Sequence, residues 1–297
     1  MTRPRLSLLA ISALWLSCGC SSKAVTPGSD TADGGANGNG GAASGGQPPV
    51  VKTCPPGPNI KTDPEPVTVG FVSGSIVDEN GDPTSAGLVQ VCGKNLCLPA
   101  HVGDDGALGE AFNQPLTAPL CKYGDGFDWG KLGVPVAAGD SQLGTLMTVR
   151  LPDYAGAPPF EPGKSISSGG VTLALDAGSG FVFDGLDYSD DQLLFRAAAL
   201  PAAALPPLGH DFVAGYALSP LETHICPLPA ISIENTSDLP AGTALELYVL
   251  GLDVDEKWVP YGAWQLASSG QVSADGATLE FPDGAPVLSA FAVRVKD

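Results

Sequence analysis

Apolar residues recur at every second position in short runs along this chain. Val171, Leu173 and Leu175 alternate with Thr172, Ala174 and Asp176; Leu245, Leu247 and Val249 alternate with Ala244, Glu246 and Tyr248; Phe291, Val293 and Val295 alternate with Ala292, Arg294 and Lys296. A period of two places one set of side chains on one face of an extended segment, so these runs predict half-buried β-strands. Turn dipeptides separate them at Asn80-Gly81, Asp105-Gly106, Asp275-Gly276 and Asp283-Gly284, where glycine supplies the positive φ of a tight hairpin. The stretch nearest to a helical period, Phe195 to Leu208, is interrupted by Leu200-Pro201 and Leu205-Pro206-Pro207 and reads as a connection, because proline breaks helix and central strand alike. The fold class expected is all-β: two antiparallel β-sandwich domains, each burying alternating faces of two sheets, after a disordered linker. A Pro-, Gly- and Ser-rich stretch from Pro158 to Gly170 sets the boundary between a domain over 51–160 and a second over 165–297.

The first fifty residues read as an address and a tether. Arg3 and Arg5 precede an uncharged run from Leu6 to Leu16 and then Ser17-Cys18-Gly19-Cys20, the layout of an export signal over 1–20. Such a run is shorter than the roughly 20 residues needed to span a bilayer. Its end resembles the lipobox of bacterial lipoproteins, which implies a diacylglyceryl anchor on Cys20, with Cys18 as the alternative. Cutting before Cys18 would leave an even number of further cysteines and cutting before Cys20 an odd number, so the choice stays open. Neither Ser21 nor Gly19 is the aspartate that in such families signals inner-membrane retention, so the resemblance implies an outer-membrane lipoprotein facing the periplasm or the cell surface. Residues 21–50 are Gly, Ala, Ser, Asn and Gln with little apolar bulk and predict a disordered linker. As a flexible coil it would reach about 30 Å.

Composition narrows the partners. Lys and Arg number 14 against 32 Asp and Glu, a net charge of -18, and the bases are scattered, so no nucleic-acid partner is expected. The partners expected are the membrane, through the lipid anchor, and an envelope protein or polysaccharide.

Two further resemblances bear on the folded part. Val72-Ser-Gly-Ser-Ile76-Val-Asp78-Glu-Asn80-Gly81-Asp82-Pro83-Thr-Ser-Ala86-Gly87-Leu-Val89-Gln-Val91, followed by Gly103-Asp104-Asp105-Gly106, resembles the start of carboxypeptidase-regulatory-like and collagen-adhesin B-type domains over about residues 66 to 110. That implies a prealbumin-like β-sandwich used as spacer or binding platform, without catalysis. Gly169-Gly170-Val-Thr-Leu, Leu218-Ser-Pro220, Leu239-Pro240-Ala-Gly242-Thr243 and Val272-Ser-Ala-Asp275-Gly276 look like the β-sandwich shared by zonula-occludens, netrin-receptor and ankyrin proteins. Relatives that cut themselves do so at His-Phe-Ser; Val287-Leu288-Ser289 stands here, so no self-cleavage is implied.

The chemistry-bearing residues point the same way. His101, His210 and His224 lie in no catalytic frame and read as loop residues; there is no Gly-x-Ser-x-Gly elbow, and Gly163-Lys164-Ser165 has Pro158 where a phosphate loop needs glycine. No enzyme and no cofactor are expected. Asp78, Asn80 and Asp82 have the alternate spacing of a calcium loop, but Pro83 and Val89 stand where such a loop needs glycine and glutamate, so the turn reading leads and calcium is the minor alternative. Asp253, Asp255 and Glu256 read as a solvated acidic loop. Cys92 and Cys97 flank a short connection after a strand and are expected to pair across a hairpin in an oxidising compartment. Cys54 is expected to staple to Cys121 or Cys226, with one thiol left over. Trp129, Trp258 and Trp264 read as packing residues. The function expected is a non-catalytic envelope lipoprotein with a structural or protein-interaction role; the alternative is a calcium- or carbohydrate-dependent adhesion module.

Overall fold

The computed structural model describes residues 23–25, 57–58, 60–183, 186–205 and 212–296. In chain order the strands are β1 (Lys23–Val25), β2 (Val67–Val77), β3 (Val89–Cys92), β4 (Cys97–Pro99), β5 (Ala107–Leu116), β6 (Leu120–Tyr123), β7 (Leu132–Pro135) and β8 (Gly139–Met147). They continue with β9 (Ser165–Ser168), β10 (Val171–Ala174), β11 (Gly180–Phe183), β12 (Arg196–Ala199), β13 (Phe212–Ser219), β14 (Thr223–Cys226), β15 (Ala230–Glu234), β16 (Ala244–Leu250), β17 (Trp264–Val272), β18 (Thr278–Phe281) and β19 (Ala290–Val295). The only helical pieces among the described residues are single 3-10 turns at Asp190–Gln192 and Ala202–Ala204.

In the first half a three-stranded sheet, β5-β2-β8, packs on a four-stranded sheet, β4-β3-β6-β7. The period-two pattern sets the layer between them. Val69, Val72, Ile76 and Leu146 face Val89, Val91, Leu120 and Leu132, all buried. Each fully buried side chain of this kind stabilises the fold by about 1.5–3 kcal/mol. Pairing is antiparallel except that β2 and β8 run parallel. Gly106, at φ 73, carries the Asp105-Gly106 turn, and a Cβ there would lie 2.4 Å from the Ile76 carbonyl oxygen, so the turn needs glycine both for conformation and for space.

In the second half nine strands form one sheet in the order β12-β13-β19-β16-β17-β18-β15-β10-β9. The sheet curls until its ends meet, and the Ala197 N–H on β12 donates to the Ser168 hydroxyl on β9 (3.1 Å), leaving a nearly closed, barrel-like layer. Its interior is built from the predicted alternating residues Val171, Leu173, Leu245, Leu247, Val249, Phe291 and Val293. The sheet β1-β11-β14 lies alongside. Phe160, within the stretch expected to separate the domains, packs on Phe181, Phe183 and Phe195 of this core.

Two expectations need correction, for the Phe195–Leu208 stretch and for His224. The Phe195–Leu208 stretch is not all connection: Arg196–Ala199 forms β12, with Phe195 and Ala197 buried, and the prolines fall after the strand, where they cannot break it. Of the expected linker, Lys23–Val25 pairs antiparallel with β11, which leaves the linker reading in place; the rest of 21–50, and both Cys18 and Cys20, lie outside the described residues. His224 is a strand residue on β14, buried, and not a loop residue.

Candidate functional site at the seam between the two halves

The first half does not close its core alone. The buried cluster around Leu120, Leu132 and Val149 also holds Tyr188, Leu200, Ala217, Leu221, Leu250, Leu252, Tyr261 and Ala290 from the second half. Backbones come so close that a Cβ on Gly130 would sit 2.4 Å from that of Ala217.

Buried polar groups pin this apolar seam. Lys122, on β6, donates to the Leu252 carbonyl (2.7 Å) and lies over the Tyr261 ring at 4.6 Å. The N–H of Leu252 donates to Glu222 Oε1 (3.2 Å), so the two halves grip one residue by its two adjoining peptide groups. Burial pushes the Lys122 ammonium down to about 8, with the Lys131 charge adding to the shift. Burial likewise, with the Asp253 charge second, pushes the Glu222 carboxyl up to about 8. The Tyr261 hydroxyl donates to the Cys92 carbonyl (3.2 Å). Arg196, fully buried, stacks on Tyr154 at 3.6 Å and donates to the Tyr154 hydroxyl (2.8 Å), the Ser219 hydroxyl (3.0 Å) and the Pro152 carbonyl (3.2 Å). Ser219 and Tyr188 both donate to the Gly126 carbonyl, each at 3.1 Å.

A second lock lies around Glu256, whose side chain has no exposed surface. It accepts from Lys94 Nζ (2.7 Å), the Thr62 N–H (2.7 Å), the Tyr261 N–H (2.9 Å) and the Thr62 hydroxyl. Burial opposes its ionisation, and the Lys94, Thr62 and Tyr261 donors overcome that and hold its carboxyl down at about 2. The acidic loop read as solvated is thus tied inward at Glu256, because these donors supply what water would. Lys94 is placed by the β3–β4 hairpin, which the Cys92–Cys97 disulfide closes at directly opposed positions.

Beside the seam opens a cleft of about 900 Å³. Its walls are β7 (Leu132–Pro135) and the Gln142–Met147 part of β8, the edge strands of the two sheets of the first half; Ala203–Leu205, Leu250 and Gly262–Trp264 close it from the second half. The lining is aliphatic apart from Gln142, Thr145, Tyr123 and Trp264, and it contains no Asp, Glu, Lys or Arg. Clefts of this size, apolar with few polar groups and set between domains, are where proteins commonly bind partners and ligands.

The residues singled out from sequence fall elsewhere. Asp78 uses Oδ1 to accept from the N–H groups of Asn80 and Asp82, both at 2.9 Å, so its carboxylate organises the turn. Among the described residues no group of three His, Cys, Asp or Glu is placed to hold a metal ion. His224 stacks on Trp258 with ring centres 3.6 Å apart, and its Nδ1 meets the Pro286 carbonyl (2.5 Å). Trp129 packs under Arg150 (4.4 Å). His101 is exposed, and His210 lies outside the described residues. Cys54 lies outside the described residues; of the two positions offered for it, Cys226 is disulfide-bonded. Cys121, the other position offered, is a free thiol, buried between Val91 and Val134 on the neighbouring strands, and burial pushes it up to about 12. Sequence reasoning missed Lys122, Arg196 and Glu222, and it named Glu256 only as part of a solvated loop. The available signal was a charge embedded in apolar sequence, as in Leu120-Cys-Lys122-Tyr123 and Phe195-Arg196-Ala-Ala. Comparison with protein-family models and with curated proteins finds no match for this chain.

Proposed function

We propose that this chain is an exported, non-catalytic lipoprotein of the cell envelope, anchored in the outer membrane through Cys20, or Cys18, and carrying a fused β-body with a structural or protein-interaction role. The observation that carries the non-catalytic reading is the fate of the reactive side chains. Lys122, Glu222, Arg196, Glu256 and His224 are all buried and make internal contacts, whereas the lining of the open cleft contains no Asp, Glu, Lys, Arg, His or Cys to serve as a base or to activate the Thr145 or Tyr123 hydroxyl. A three-stranded sheet on a four-stranded one agrees with the prealbumin-like resemblance and so supports a binding platform. The calcium- or carbohydrate-dependent alternative draws no specific support: Asp78 serves its own turn, and Trp129 and Trp258 are covered by Arg150 and His224.

The test of the anchor is metabolic labelling with an alkyne-tagged palmitate, followed by detergent phase partition. The wild type is expected in the detergent phase with label that Cys20→Ala abolishes and Cys18→Ala retains; the reverse pattern assigns Cys18. An unlabelled wild-type chain in the aqueous phase contradicts the proposal.

A further inference from the structure

The sandwich of the first half is lopsided: three strands cover four. The shortfall lies beyond β8, and the cleft occupies that place, opposite β7. β8 is the free edge of its sheet, hydrogen-bonded on one side to β2, and most of its residues from Gly139 to Thr145 are exposed. An edge strand of this kind presents unpaired N–H and C=O groups, which are a template for another extended chain.

We propose that the cleft is a vacant strand position, and that it takes an extended, uncharged peptide segment of a partner protein as a fourth strand beside β8. The observations discriminate among occupants. An acyl chain would meet the apolar floor but leave the backbone groups of β8 without partners, at a cost a peptide avoids by completing the ladder. The strand would extend the β5-β2-β8 sheet and lay alternate side chains onto Val134, Leu143, Leu205 and Trp264, which already pack at the margin of the buried cluster, so the new contact continues the existing core. With no ionisable Asp, Glu, Lys or Arg in the lining, a charged side chain would be desolvated there without a counterion, and the chain's net charge of -18 disfavours acidic flanks as well. The Gln142–Met147 edge is bulged at Leu143–Gly144, where Gly144 has φ 72, so it offers somewhat less than the span of about 20 Å of six regular residues and pairs with a peptide on either side of the bulge. The chain's own Pro206-Pro207, which follows Leu205, cannot complete such a ladder, because proline has no N–H to donate.

This inference rests on the interaction role proposed above, and its test is independent of the anchor. Phage-displayed random peptides of about 12 residues, a length that spans the edge, are selected on the purified chain and depleted on Leu143→Lys, with Val134→Lys as a second blocked variant should the first not fold. Enriched peptides are expected to alternate apolar residues around an uncharged centre. They should bind at least about tenfold more weakly to either variant, slow amide exchange at 141–147, and lose binding when proline is placed at alternate positions. Peptides that protect other residues overturn the strand site and leave the interaction role standing. Failure of any peptide to distinguish the wild type from both folded variants overturns the proposal outright.

Discussion

The Glu256 lock gives a prediction whose size follows from the structure. Lys94→Met keeps an unbranched side chain of similar length and removes the ammonium that donates to Glu256 (2.7 Å). The carboxylate would keep the Thr62 and Tyr261 donors yet lose its countercharge at a site with no solvent exposure. The Lys94, Thr62 and Tyr261 donors together hold the carboxyl down at about 2, so Lys94→Met removes a part of that preference for the ionised form and leaves the rest. Breaking a buried pair from one side costs about 3–5 kcal/mol, so Lys94→Met should lose about 3 kcal/mol at pH 7. The assay is urea unfolding followed by tryptophan emission at several pH values. Because the folded carboxyl is depressed, its contribution is complete above about 4.5 and is lost as pH falls through about 2. The wild type should therefore weaken along that acid limb and the variant much less. In the double variant with Glu256→Leu, the coupling should exceed about 1 kcal/mol. A loss below about 1 kcal/mol, with the acid limb unchanged, would mean that Lys94 does not hold the Glu256 carboxylate in its charged form.

Other consequences concern the seam and the turns. Glu222 is raised to about 8, so the folded state holds its proton longer than the unfolded chain, and stability should fall as pH climbs from about 4.5 through 8; Glu222→Gln, which can still accept from Leu252, should flatten that slope in urea midpoints. Lys122, lowered to about 8, has the opposite sense: stability should recover between about 8 and 10.5, and Lys122→Met should remove the recovery. Cys121 should resist iodoacetamide at pH 8 in the folded chain and react once the chain is unfolded without reductant, as read by peptide mass mapping; ready labelling of the folded state would contradict its burial. Gly106→Ala, which combines a positive φ with a 2.4 Å clash, should cost at least about 2 kcal/mol in the same urea assay, and a neutral result would disprove the turn geometry.

What could be read in the sequence was what depends on near neighbours. Alternation at Val171–Leu175 and Leu245–Val249 fixes which side chains enter the core because the strand period is two, and Asp105-Gly106 marks its turn because few residues tolerate positive φ. Cys92 and Cys97 could be matched because a hairpin brings them together locally. The seam was beyond such reading. Lys122 and Leu252 are brought together only by the packing of the two halves, as are Thr62 and Glu256, and a lone charge in a polar loop looks solvated until its distant donors are known. β12 was hidden by the prolines that follow it, since they mark where extension stops and not that it never began. The cleft left no pattern at all, being made of an edge of each sheet of the first half and three segments from the other half.

The claim on which the rest depends is that the seam fuses the two halves into one cooperative body. Native-state hydrogen exchange across increasing urea tests it directly, by comparing amides of β3 and β6 with amides of β16 and β19. A body fused at the seam should show one shared opening free energy and one urea dependence for both sets. Two sets with separate free energies, one surviving when the other opens, would contradict it.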